Sequence, residues 1–144
     1  MPAECAYDYA IVRVVPRVER GETINVGIIV SCPDSDFIAA RIELDEARLL
    51  ALDPETDLVT LRAHLETIPA ICEGRPDAGP IAALPARQRF YWLVSPRSTV
   101  IQMSPVHTGR TADPMAALDR LIESMVRVHR GDSASPPPRP RPPS

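Results

Sequence analysis

Two runs near the start of the chain, YDYAIVRVV (7–15) and TINVGIIVS (23–31), constrain the fold more than any other feature. Both are dense in β-branched and aromatic residues, which pack well on a pleated surface and lose side-chain freedom in a helix. Turn formers bound each run, so both are expected to be strands. The segment between them, PRVERGE (16–22), is too long for a two-residue hairpin but short enough for an antiparallel connection, with Gly21 free to take positive φ. In the second run strict alternation assigns Ile24, Val26, Ile28 and Val30 to one face and Asn25, Gly27 and Ile29 to the other. A glycine inside a strand marks a bulge or a close approach by another backbone, although plain packing is the simpler expectation here. After the turn CPDSD, FIAARIEL (37–44) supplies a third strand.

Helical signals come next. DEARLLAL (45–52) reads as a short helix, and Asp53-Pro54 as the N-cap and first residue of a second one. Leu58, Leu61, Leu65, Ile68 and Cys72 fall at spacings of three and four, which puts them on one apolar stripe facing the sheet. Pro69 is expected to end or kink that helix, and EGRPDAGP (73–80) to be a loop. PARQRFYWLV (85–94) fits a short buried helix or a strand, with Pro85 favouring the helix. STVIQM (98–103) reads as a strand. Asp113-Pro114 repeats the N-cap signature before a last helix, in which Met115, Leu118, Ile122, Met125 and His129 share a face with Leu121 beside them. The fold class that results is α+β: a small antiparallel sheet of about four strands with helices packed mainly on one face.

A chain of 144 residues has the size of one domain, and its 44% hydrophobic content is enough for a core built mostly of Val, Ile, Leu and Ala. We assign residues 1–130 to a single α+β domain. Residues 131–144, GDSASPPPRPRPPS, have almost no apolar side chain to offset the entropy of ordering and are expected to form a disordered, partly polyproline-like tail. No apolar run approaches the roughly 20 residues that span a bilayer, and MPAECAYDYA has no signal-peptide pattern, so a cytoplasmic protein without membrane contact is expected. Cys5, Cys32 and Cys72 are odd in number and form no C-x-x-C pair, which points to reduced, mostly buried thiols rather than a disulfide framework or a metal site.

All 16 basic residues are arginine, so Schiff-base chemistry and a P-loop lysine are excluded. The signature motifs of serine hydrolases, zinc peptidases and dinucleotide enzymes are missing too, and neither a cofactor nor a catalytic set is expected. The net charge of −3 is unevenly spread. Residues 1–77 hold 7 arginines against 15 acids, whereas residues 78–112 hold Arg87, Arg89, Arg97 and Arg110 and no acid. Arginine forks match phosphates and carboxylates, so an anion- or partner-binding site is expected to combine Arg17 and Arg20 of the first loop with Arg97, Ser98, His107 and Thr108. The competing reading treats these loops as structural corners, with Arg20 or Arg97 held by nearby glutamates or backbone carbonyls. Arg87 and Arg89 are expected to be solvated or to pair with the acidic first half. Nucleic-acid binding is disfavoured by the acidic balance and the lack of a recognised module.

YAIVRVVPRVERGETINVGIIV (9–30), the cysteine-proline of SCPDSDF, and RFYWLVSPRSTVIQMSPVHTGRTADP (89–114) together resemble the bacterial family known as domain of unknown function 3037. The likeness covers about residues 7–127 and leaves the tail outside. That family has no established activity, so the resemblance assigns no catalytic residue. It implies a small bacterial protein often encoded beside a HipA-like kinase, and hence an accessory or regulatory partner of such an enzyme. Tyr91 stands where similar proteins commonly have histidine, so no role resting on a histidine there carries over. The leading expectation is a non-enzymatic partner protein, and the rival is a small-molecule- or phosphate-binding protein or enzyme using the Arg/His/Ser loops.

Overall fold

The computed structural model describes residues 4–128. The two apolar runs form β1 (Cys5–Val14) and β2 (Ile24–Cys32), which pair antiparallel with Tyr9 opposite Val30 and Ile11 opposite Ile28. Their connection turns through Gly21 at φ 71°, the left-handed conformation that a residue without Cβ adopts freely. β3 (Phe37–Ile42) pairs with β2 on its other edge. The remaining edge of β1 carries two short strands in succession, β4 (Ile101–Met103) beside Val12–Val14 and β5 (His107–Thr111) beside Cys5–Tyr9. The antiparallel sheet therefore has five strands in four positions, ordered β3-β2-β1-β4, with β5 also on β1.

β5 was not legible from its own residues, because HTGRT shows no apolar alternation. What holds it is the ladder to β1 and the ring of Tyr7 lying over Gly109, where an added Cβ would stand 2.7 Å from Cζ. Between β4 and β5 the ladder breaks at Ser104-Pro105. There Ile11 N–H donates to the Ser104 hydroxyl at 2.8 Å, while Ser104 N–H returns a bond to the Ile11 carbonyl at 2.9 Å. The buried side chain thus satisfies a backbone donor that would otherwise be stranded.

Four α-helices complete the described residues: α1 (Glu46–Leu52), α2 (Leu58–Cys72), α3 (Ala86–Val94) and α4 (Pro114–Met125). The helix reading of residues 85–94 holds, and Asp113 caps α4 by accepting from the amides of Met115 and Ala116. The cap of α2 is corrected: Asp57, not Asp53, accepts from Thr60 N–H. Asp53 instead closes α1, donating its own N–H to Leu49, and its carboxylate holds the next turn through Glu55 N–H. Two capping-type aspartates four positions apart competed, and the one adjacent to the apolar stripe took the helix. Pro69 does not stop α2, which runs on to Cys72. It ends instead at Gly74, φ 68°, with Gly74 N–H bonding to Ile71 and Arg75 N–H to Ala70 in a Schellman arrangement.

Both faces of the sheet are buried. On one, Val12, Val14, Ile24, Val26 and Ile29 meet Leu49, Leu61, Leu65, Ile68, Phe90 and Leu93 from α1, α2 and α3. On the other, Tyr7, Ile11, Ile28, Val30 and Cys32 meet Ala117, Leu118, Leu121 and Ile122 of α4. Among the described residues three helices thus share one face and α4 alone covers the second, which explains why β1 and β2 read as nearly continuous apolar runs. Within α4, Met115 lies off the buried stripe, at 43% exposure. His129 and the tail at 131–144 lie outside the described residues.

The strict alternation expected of β2 fails at one point. Val12 pairs with Gly27 but Arg13 pairs with Asn25, so Val26 is an extra residue in a β-bulge. The bulge flips the pleat, sending Ile24 and Val26 to the α1–α3 core and Ile28 and Val30 to the α4 core. Gly27, next to the bulge, permits a close approach, since a Cβ there would stand 2.6 Å from the Arg41 carbonyl oxygen of β3. Packing alone does not account for this glycine.

Candidate functional site

After α3, Ser95 and Pro96 stop the helix, and Arg97 folds back over its last turn. Its guanidinium lies 3.6 Å from the centroid of the Trp92 ring and donates to the carbonyls of Trp92, Ser95 and Leu93. These carbonyls lie at the helix C-terminus, where Trp92 also accepts from Ser95 N–H, and the positive charge complements the helix dipole there. Ser98 then turns the chain into β4, its hydroxyl accepting from Val100 N–H at 3.1 Å and Ile101 N–H at 3.2 Å. Both residues therefore make local structural bonds.

Their placement also shapes a groove between α2 and the segment 95–103. One part, of about 520 Å³, is lined by His64, Thr67, Trp92, Arg97, Ser98 and Gln102 over an apolar floor that includes Ile68 and Ile101. A second part, of about 390 Å³, shares His64, Ser98 and Ile101 with the first and adds Asp53, Glu55, Asp57 and Pro16. The groove thus runs from an acidic end to an arginine end. Burial pushes the Arg97 pKa down, and no carboxylate among the described residues offsets that effect. At the other end, hydrogen bonds from the Thr60 hydroxyl and amide hold Asp57 below the usual carboxylate range.

The other residues expected at the site fall elsewhere. Arg17 and Arg20 lie in the loop leaving β1, exposed and matched to close neighbours, Arg17 to Glu19 at 3.1 Å and Arg20 to Glu22 at 2.5 Å. His107 and Thr108 belong to β5, opposite Tyr9 and Asp8. Because Ile101 pairs with Val14 and His107 with Tyr9, the two groups are five residues apart along β1, roughly 17 Å at about 3.4 Å per residue. The fold brings Arg97 and Ser98 together and holds His107 and Thr108 at the opposite end of the strand.

That opposite end has its own polar cluster. Thr108 donates to Asp8 at 2.7 Å, and Arg87 of α3 donates to Asp8 at 2.5 Å and to the buried Ser31 hydroxyl at 3.0 Å. The guanidinium also lies 4.7 Å from the Tyr91 ring centroid. Burial alone would raise the Asp8 pKa, but the bonds from Arg87 and Thr108 outweigh it and leave the carboxyl below its ordinary value. Arg87 thus pairs with the acidic first half, whereas Arg89 spans α2 and α3 by donating to the carbonyls of Leu84, Ile71 and Cys72. A carboxylate inside a strand whose one other charged residue is Arg13 was the available signal for Asp8. Nothing local marked His64, Trp92 or Gln102, which meet only in space.

An α+β domain with a two-sided antiparallel sheet and a bipolar groove at one edge is the class these features define. The chain belongs to the family described as protein of unknown function (DUF3037), whose model matches residues 9–126. No curated protein and no solved structure matches it. Among the described residues no helix is long and apolar enough to cross a membrane, and no group of three or more His, Cys, Asp or Glu residues is placed to hold a metal ion.

Proposed function

We propose that this chain is a non-enzymatic accessory protein whose groove receives an extended segment of a partner protein, with a HipA-like kinase as that partner. The observation that carries the reading is the charge order of the groove: Asp53, Glu55 and Asp57 at one end, Arg97 at the other, and an apolar floor between. An extended peptide with a basic and an acidic residue several positions apart complements that surface, whereas a compact phosphate engages only one end. The kinase comes from the family resemblance rather than from the groove. Co-expression with a neighbouring kinase-like protein should give a complex that survives size-exclusion chromatography. Thr67→Trp, at an exposed α2 position in the groove, should abolish the complex while changing stability by about 0.5 kcal/mol or less. Separate elution of the wild-type proteins at micromolar concentration rejects the proposal.

Arg97 favours a second reading, a phosphate-bearing small ligand, because its guanidinium has no carboxylate partner among the described residues and retains donors beyond its three carbonyl bonds. Titration calorimetry with inorganic phosphate and a nucleotide separates the two. Heat that disappears in Arg97→Ala supports the small-ligand reading, and no heat from either ligand removes it.

A further inference from the structure

Sequence separation hid one relation entirely. Cys5, at the start of β1, and Cys32, at the end of β2, stand with their sulfurs 2.8 Å apart on the α4 face of the sheet. Both thiols are free, and Cys32 also donates to the Ala6 carbonyl at 3.4 Å. We propose that Cys5 and Cys32 form a reversible disulfide, a redox modification site that staples the start of β1 to the turn leading into β3.

The two thiols differ in access, which orders the steps. Cys32 is fully buried, whereas Cys5 is half-buried beside Thr111 of β5. Cys5 is therefore the attacking residue and Cys32 the resolving one. With oxidised glutathione as oxidant, the Cys5 thiolate attacks one glutathione sulfur, breaking that disulfide, forming a mixed disulfide and releasing one glutathione thiolate. The Cys32 thiolate then attacks the Cys5 sulfur and displaces the second glutathione. Two electrons pass from the protein thiols to the small disulfide, and the two protons end on the released glutathiones. The mutual hydrogen bond with Cys32, then burial, raise the Cys5 pKa, so exchange is slow at neutral pH and speeds up as pH rises. Cys72 provides an internal control: it lies in the opposite core, with its thiol pushed up to about 12 by burial.

The test uses the full chain, equilibrated with oxidised glutathione and then alkylated and mapped by mass spectrometry. The expected result is a Cys5–Cys32 disulfide with the loss of two hydrogens, a free Cys72, and a melting temperature higher by about 5–10 °C that dithiothreitol reverses. Cys5→Ser should show neither the crosslink nor the rise. It carries the test even where Cys32→Ser fails to fold, because Cys5 is the less buried of the two. A persistent glutathione adduct on Cys5, or two free thiols after equilibration at raised pH, overturns the proposal.

Discussion

Gly27→Ala tests the close approach of β2 to β3, because the added methyl has defined neighbours. Its carbon would stand 2.5 Å from Ile42 Cδ1 and 2.6 Å from the Arg41 carbonyl oxygen. The first contact is with the end of a flexible side chain, and turning Ile42 off its rotamer costs about 0.5–1.5 kcal/mol. The second is with backbone of β3, which cannot retreat without stretching the ladder that pairs Gly27 with Ile42, and overpacking of that kind costs about 1–3 kcal/mol. Against these, alanine restricts the unfolded chain and recovers about 0.4–1 kcal/mol. A net loss of about 2–3 kcal/mol is expected, read from urea unfolding midpoints at constant slope. Ile42→Val removes Cδ1 and separates the two contacts. Alone it should cost about 0.5–1.5 kcal/mol, and in the Gly27→Ala background less, with a coupling of about 0.5–1 kcal/mol. A Gly27→Ala protein within about 0.5 kcal/mol of wild type would refute both the close approach and its magnitude.

Asp8 should make stability depend on acid. Its folded pKa is depressed below 3.8, so its contribution is complete above that pH and is lost as pH falls through the folded value. Asp8→Asn should therefore flatten the fall in urea midpoint from about pH 5 down to about pH 2, and equal slopes in the two proteins would contradict the Arg87 and Thr108 assignment. Arg89→Met keeps the aliphatic stem but withdraws the donors to Leu84, Ile71 and Cys72, and should cost about 2–3 kcal/mol. Hydrogen exchange should quicken first at the end of α2, and protection there unchanged from wild type would show that water replaces the guanidinium without loss.

Strands β1 to β3 and helices α1, α2 and α4 follow from local chemistry that the chain carries within short windows: β-branched runs, apolar spacing of three and four, and aspartates placed to cap, whereas residues 85–94 fitted a helix or a strand. The α+β class was legible for that reason. Where two local signals competed, as with Asp53 and Asp57, position relative to the apolar stripe decided the cap. What the sequence could not express is any relation between residues distant along the chain. The β2 bulge is set by how β2 pairs with β1, and it reverses the face of every apolar residue of β2 after it. β5 exists because β1 offers an edge and Tyr7 a ring over Gly109, not because HTGRT favours a strand. Arg97 and Ser98 were identifiable as donors, but the groove they line depends on α2 lying opposite. Periodicity reports a face without naming what packs against it, and so the partition of the core between α4 and the other helices, the separation of Arg97 from His107, and the meeting of Cys5 with Cys32 were all decided by tertiary structure.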